Sequence, residues 1–246
     1  MNLARAYLSQ FYQGDLTPAS KAMLQFYASV YKDLQGASYL EFGGGPTIYS
    51  LITAAKTCGS IHFTDYNIDC LTEVNHWHIG THDAFDWSHF TCYALSCENA
   101  DQQNPTKTCI QKRHELIRQR LQKISQCNIF ADDPLLGSSK APYDVISNNS
   151  CLTCVTDDFN EWILFNKKLT DLLSDGGLFV SVTPINASFW DVQGIRYPSV
   201  RLNPKNVIDV YNTLGLSIDD CEQIYQPQDE VSDFDGFMMI SGRKKF

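Results

Sequence analysis

Glu41 closes an apolar run, Gly43-Gly44-Gly45 follow it, and Asp65 closes a second apolar run twenty residues after Gly45. Residues 39–49 read YLEFGGGPTIY and residues 61–65 read IHFTD. A strand tipped by an acid, a tight glycine turn and a second strand ending in an acid are how an open α/β sheet holds a ribose-bearing ligand at its first turn. The glycines allow the backbone to approach the ligand closely, and the acid can accept both ribose hydroxyls.

The rest of the turn narrows the ligand. A dinucleotide fingerprint needs a third glycine, but Pro46, Thr47 and Ile48 follow Gly45. Pro46 and Thr47 are expected at the start of a helix, where a pyrophosphate would meet free N–H groups. No Gly-Lys-Ser/Thr is present, so the chain has no P-loop. A tight turn without these phosphate signals suits S-adenosylmethionine (AdoMet), which has a ribose and an amino-acid tail but no phosphate.

Elements that would position this turn can be read on both sides of it. Residues 18–35 read as an amphipathic helix with Pro18 near its start and Gly36 after its end. Strands are expected at 38–42 and 60–65, and helices at 46–56, 67–78 and 108–121. A further strand should run to Phe130, a buried one over 143–147, and a helix over 159–173 stopped by Asp175-Gly176-Gly177. LFVSVTP is the next strand, Asn203-Pro204 caps a helix ending at Gly215, and a closing antiparallel hairpin is expected within 221–243. The polar stretch 98–107, with Asn104-Pro105, breaks regularity. Alternating strands and helices predict a Rossmann-like, doubly wound α/β sheet.

Composition sets the outer bounds. The chain has 246 residues, 43% hydrophobic, which is enough for a full core. Its net charge of -9 lacks the excess of Lys and Arg that marks a duplex-binding surface. The basic cluster Lys112, Arg113, Arg118, Arg120 and Lys123 reads as a solvated helix face. No run approaches the length of a membrane span, and the N-terminus shows no signal-peptide core. Nine scattered cysteines fit reduced thiols in a cytoplasmic compartment. Cys151-x-x-Cys154 lacks the partners of a redox or zinc motif. His76, His78 and His82 are interrupted by Gly80, so no metal is expected.

At this level of detail the chain resembles a known family. FGGGPTIY (42–49), TDY (64–66) and AFDWS (84–88) are similar to the small-molecule methyltransferases that include nicotinamide, phenylethanolamine and indolethylamine N-methyltransferases. AYLSQFY (6–12), Cys127-Asn128-Ile129, Ser150-Cys151-Leu152 and the closing DGFMMISGRK extend the likeness over nearly the whole chain. The resemblance implies a class I fold of seven strands in one domain, with residues 1–36 as an N-terminal helical lid and 37–246 as the catalytic core. It also implies a monomer that binds AdoMet and releases S-adenosylhomocysteine.

Site roles follow from the resemblance one residue at a time. Tyr12, Thr47 and Tyr49 match positions that hydrogen-bond the methionine carboxylate. Gly43 and Gly44 match the turn beneath the methionyl group. Asp65 matches the ribose acid, Tyr66 packs beside the adenosine, and Asn128 and Ile129 match the adenine pair. Asn149 matches a main-chain contact to the cofactor amine, and Tyr7 a lid tyrosine near the substrate. Asp233 matches an acid that contacts a substrate amine, with Asp235 its neighbouring competitor and Asn186 and Asp191 further candidates. Phe189 and Trp190 match an aromatic pair flanking the substrate. The chain departs from the family at Cys70 (usually Asn), Gly44 (often Ser), Asn128 (Asp), Thr183 (an acid in the nicotinamide enzyme) and Ala187 (Ser in that enzyme). The change at Cys70 implies a lost ribose contact, and those at Thr183 and Ala187 argue against nicotinamide.

The chemistry implied is direct, in-line transfer of a methyl group to a small nucleophile, in first place an amine nitrogen. An amine must be unprotonated to attack, so a carboxylate that binds its ammonium is useful. Asp233 and Tyr7 are therefore the candidate catalytic residues. A pyridine nitrogen such as that of nicotinamide, a thiol or thioether, or an AdoMet-binding role without turnover are the alternatives. No nucleic-acid substrate is expected, because Asn148-Asn149-Ser150-Cys151 lacks the Pro-Pro-aromatic core of nucleic-acid amino-methyltransferases.

Overall fold

The first strand is buried on both faces: Tyr39, Leu40, Glu41 and Phe42 are all buried. A strand covered on both faces belongs inside a parallel sheet. In the computed structural model, which describes residues 3–99, 104–139, 141–226, 228 and 231–246, that strand is β1 (Ala37–Phe42).

The chain forms two compact units, Met1–Gln126 and Cys127–Phe246. The first unit opens with α1 (Leu3–Phe11) and α2 (Pro18–Val30), then β1, α3 (Tyr49–Thr57), β2 (Cys58–Asp65), α4 (Ile68–Ile79), α5 (Ser88–Glu98), α6 (Lys107–Arg120) and β3 (Leu121–Gln126). β1 pairs parallel with β2, and β2 with β3. Local chemistry sets the helix ends. Thr17 Oγ1 accepts the Ser20 N–H ahead of Pro18, and Asn67 Oδ1 accepts the Asp69 N–H. Gly80 closes α4 in the left-handed region at φ 74°.

The second unit holds β4 (Tyr143–Asn149), α7 (Phe159–Asp171), β5 (Leu173–Ile185), β6 (Phe189–Val192), β7 (Ile195–Pro198), α8 (Pro204–Thr213), β8 (Leu216–Tyr225) and β9 (Gly236–Lys244). β4 and β5 are parallel, while β9 runs antiparallel to both β5 and β8. Asn203 and Asn206 form a reciprocal capping box at α8. The strand order is β3-β2-β1 in the first unit and β4-β5-β9-β8 in the second, with β6-β7 as a separate ribbon. No helix among the described residues is long and apolar enough to cross a membrane.

Several boundaries differ from the sequence reading. α2 ends at Val30, capped by Tyr31, rather than at residue 35, and α3 begins at Tyr49, so Pro46 and Thr47 lie in the turn before it. β3 stops at Gln126, because Asn128 Oδ1 accepts the Phe130 N–H and turns the chain. α7 ends at Asp171, capped by Leu172, and Asp175–Gly177 falls within the span of β5. The closing hairpin starts at Leu216 rather than 221. α5 and the β6-β7 ribbon are additional elements. α5 interleaves its buried Phe90, Thr91, Ala94 and Leu95 with small and sulfur-bearing residues, so its helical stripe is weak. Part of the polar stretch 98–107 lies outside the described residues; Thr106 within it caps α6.

The basic cluster is the clearest correction. Arg113 is buried, forms a bidentate pair with Glu98 at 2.5 and 2.7 Å, and donates to the Ile52 carbonyl. Arg118 lies 4.5 Å over the Trp77 ring and donates to the Trp77 carbonyl, and Arg120 donates to that of Gly59. These arginines hold helices and strands together; they do not form a solvated stripe.

Candidate active site

The glycine turn is pinned to the strand beside it. Gly43 and Gly44 both donate to the Thr64 carbonyl, at 2.9 and 3.1 Å, and Thr64 Oγ1 donates back to the Glu41 carbonyl at 2.9 Å. Gly43 and Gly45 sit at φ 67° and 62°, a region that favours glycine. Gly44 is required for a different reason: a Cβ there would lie 2.4 Å from the Phe63 ring. The bare backbone at Gly44 leaves room for the Phe63 ring.

Asp65 faces this turn. Its Oδ2 accepts the Gly45 N–H and its Oδ1 accepts the Asn67 N–H, both at 2.8 Å. Burial pushes its carboxyl up; the bonds from Asn67, Gly45 and Cys70 pull against this, and the net direction is upward. Cys70 bonds to the Asp65 carboxylate, and burial together with that negative charge keeps it a thiol. Cys70, whose identity implied a lost ribose contact, therefore holds the candidate ribose acid. These groups fit AdoMet: an acid for its diol, and nothing of a P-loop for a phosphate it lacks.

A cluster of phenols stands next to the turn. Tyr12 and Tyr49 stack at 5.7 Å, and Tyr12 is hydrogen-bonded to both Tyr7 and Tyr49. Tyr49 bonds in turn to Tyr27. Burial pushes Tyr12, Tyr27 and Tyr49 upward, so all three remain protonated donors suited to a carboxylate. The α3 N-terminus beside them has no side-chain cap. Thr47 is buried, and its hydroxyl donates to the Gly44 carbonyl at 2.8 Å, so it must rotate before it can donate to a ligand. Tyr7 packs on Phe11 at 4.8 Å and on Tyr12 at 5.7 Å. Tyr66 is 65% exposed, its carbonyl fixed by Gln126.

In the second unit, Asn128 directs its side-chain oxygen to the Phe130 N–H at 3.0 Å. Ile129 is buried, and its carbonyl accepts Lys168 Nζ at 3.0 Å. Asn149 ends β4 and donates to Ser147 Oγ at 3.1 Å.

The candidate acids are already bound. Asp233 accepts the Ser188 N–H and Oγ–H, both at 2.7 Å, and Arg201 Nη2 at 2.6 Å. Burial pushes its carboxyl up, but the Ser188 bonds and the Arg201 charge outweigh this, and the net direction is down. Asp235 accepts Asn186 Nδ2 at 2.7 Å and Gln228 Nε2 at 3.1 Å. Asn186 sits at φ 58°, with its carbonyl accepting Arg201. Asp191 caps the Gly194 turn of the ribbon. Trp190 stacks on Tyr197 at 4.7 Å and directs its Nε1 to the Cys154 carbonyl at 3.4 Å; Arg196 lies 3.9 Å over the Phe189 ring. Thr183 and Ala187 are buried, and Thr183 meets Ser181 at 3.3 Å beside Tyr211. Thr183 is thus a buried residue whose hydroxyl is engaged within the core.

Sequence reasoning missed Tyr27, Trp87 and Phe90 around the phenols, and Ser188, Tyr197 and Arg201 in the second unit. AFDWS carried a signal for Trp87, which lies 5.4 Å from Tyr12; nothing local marked Arg201. The Cys151-x-x-Cys154 pair forms a turn, and burial pushes Cys154 up to about 11, an inert thiol.

Comparison with known proteins places the whole chain in a family. The model of the NNMT/PNMT/TEMT family matches residues 3–245. Human nicotinamide N-methyltransferase is 25% identical over 98% of this chain and 92% of its own length. Human phenylethanolamine N-methyltransferase is 24% identical over 98% of this chain and 88% of its own. Among solved structures, a DhpI complex with S-adenosylhomocysteine superposes with a TM-score of 0.59 at 14% identity, over 99% of this chain and 96% of that one, which is a likeness of fold. With a family match from residue 3 to residue 245, the chain belongs to the NNMT/PNMT/TEMT family and is an AdoMet-dependent N-methyltransferase of small molecules.

Proposed function

We propose that the acceptor is a small amine and that the methyl group passes to its nitrogen in one in-line displacement. The observation that carries the donor half of this reading is the Asp65 carboxylate, fixed by Gly45 and Asn67 at the end of β2. AdoMet, when bound, supplies an electrophilic methyl on a sulfonium: the nitrogen lone pair forms the new N–C bond, the C–S bond breaks, and its electron pair stays on sulfur in S-adenosylhomocysteine.

The chain's residues bind, orient and exclude water. Asp65 takes the ribose diol, Tyr66 the adenosine face, and Tyr12, Tyr49 and a rotated Thr47 the carboxylate. Gly43 and Gly44 give the close approach. Asn128 and Ile129 take the adenine, and Asn149 the cofactor amine. Residues 1–36 act as a lid that brings Tyr7 to the acceptor, over a catalytic core of 37–246 in a single functional domain. Trp190 and Phe189 wall the acceptor. Asp233 is fully ionised beside Arg201, so it acts as a fixed negative charge that orients an ammonium; water takes the proton. A monomer in the cytoplasm, with no nucleic-acid substrate, completes the reading.

One observation favours a second reading. Arg201 already neutralises Asp233, and a pyridine nitrogen requires neither deprotonation nor an anionic partner. The test is turnover on a panel of primary and secondary amines, nicotinamide and quinoline, with wild type and Asp233→Ala. Turnover on amines that collapses in the variant supports the amine. Turnover on pyridines alone, indifferent to Asp233, replaces it with the second reading.

A further inference from the structure

α1 is joined to the ribose side of the first unit by a charge pair. Arg5 Nε lies 2.6 Å from Glu73 Oε2, and Arg5 Nη2 lies 3.9 Å from Asp83. The Glu73 side chain is only 4% exposed, while that of Arg5 is 34% exposed. The Glu73 oxygen meets no aligned hydrogen-bond donor, so its contact with Arg5 is ionic first. A buried carboxylate of this kind depends on its cation, and losing the partner leaves the acid uncompensated.

Both ends of the pair lead to the cofactor groups. Arg5 sits on the helix that carries Tyr7 and leads into Tyr12, anchored by the buried Ala4 and Leu8. Glu73 sits on α4, one turn after Cys70, which bonds to Asp65. The helix that carries Tyr7 and leads into Tyr12 is therefore clamped onto α4, the helix that carries Cys70.

We propose that Arg5 and Glu73 are positioning residues that hold α1 closed, and so set how tightly the adenosyl cofactor is retained. This rests on the proposed function for Tyr12 and Asp65, but the pair's hold on α1 does not. Opening α1 would withdraw Tyr12 from the carboxylate it binds, while Asp65 would stay in place. The affinity seen by a ligand falls with the fraction of closed molecules.

The test measures hydrogen exchange of the α1 amides and calorimetric binding of S-adenosylhomocysteine in wild type, Arg5→Ala, Arg5→Lys and the double variant Arg5→Leu/Glu73→Leu. The double variant removes both charges, so it folds without a stranded carboxylate. In Arg5→Ala, α1 exchange and the dissociation constant should both rise by about tenfold, with Arg5→Lys recovering most of the loss. The double variant should recover α1 protection. Faster α1 exchange with affinity inside twofold of wild type would overturn the positioning role, and unchanged exchange in a folded Arg5→Ala would overturn the clamp itself. If wild type bound no S-adenosylhomocysteine, the proposed function would fail and the positioning role with it, while the exchange data would still decide the clamp.

Discussion

Asp65 Oδ2 and the Gly45 N–H meet at 2.8 Å, so the acid that closes the second strand also ties down the last glycine of the first turn. Turn and acid are one unit. On the proposed function, a ribose bonded to Asp65 would be held by the same acid that shapes the glycine turn.

Asp65→Asn should therefore lower affinity for S-adenosylhomocysteine by about ten- to a hundredfold, the loss of a charged hydrogen-bond acceptor worth about 1.5–3 kcal/mol. Titration calorimetry reads this directly. Affinity within twofold of wild type would place the ribose elsewhere.

The same variant separates binding from stability. The folded pKa of Asp65 is raised, first by burial. A raised group contributes stability that is present below its unfolded pKa, about 4, and lost as pH rises through the folded value. The melting temperature of Asp65→Asn relative to wild type should thus climb between pH 4 and pH 8. A flat difference would mean burial does not govern this carboxyl.

Asp233 has the opposite sign. Its pKa is depressed, the Ser188 and Arg201 contacts outweighing burial. Its contribution is present above about pH 4 and lost as pH falls through the folded value. Arg201→Ala should destabilise the protein modestly at pH 7 and less at the lowest pH where it stays folded, where only its bond to the Asn186 carbonyl is left to lose. Thermal melts across that range check this.

Gly44→Ser should destabilise the protein by about 1–3 kcal/mol through overpacking, because its Cβ would meet the buried Phe63 ring. Phe63→Leu should restore part of the loss. Denaturant melts of the two single variants and the double variant measure the coupling. Simple additivity would mean the two sites do not share space.

Much of this was legible in the residues. The glycine turn, Asp65 and the Asn203-Pro204 cap carry local signals, because each answers a backbone requirement within a few residues. Helix ends were less legible: Pro46 and Thr47 look like a helix start, yet the turn runs on to Tyr49. What remained hidden depends on partners distant in sequence. Arg113 reads as a surface charge until Glu98 is brought to it, and Asp233 reads as an open acid until Arg201 and Ser188 are. Thr183 aligned with a substrate-binding position, but its environment is set by Ser181 and Tyr211 in the core.

The most direct test is mass spectrometry of products after incubating the purified protein with methyl-deuterated AdoMet and small amines, with Asp65→Ala as control. The account predicts that S-adenosylhomocysteine and an amine carrying the labelled methyl on nitrogen appear in equal amounts, and that both fall sharply in the variant. No labelled product from any amine or pyridine, together with no binding of AdoMet at millimolar concentration, would contradict it.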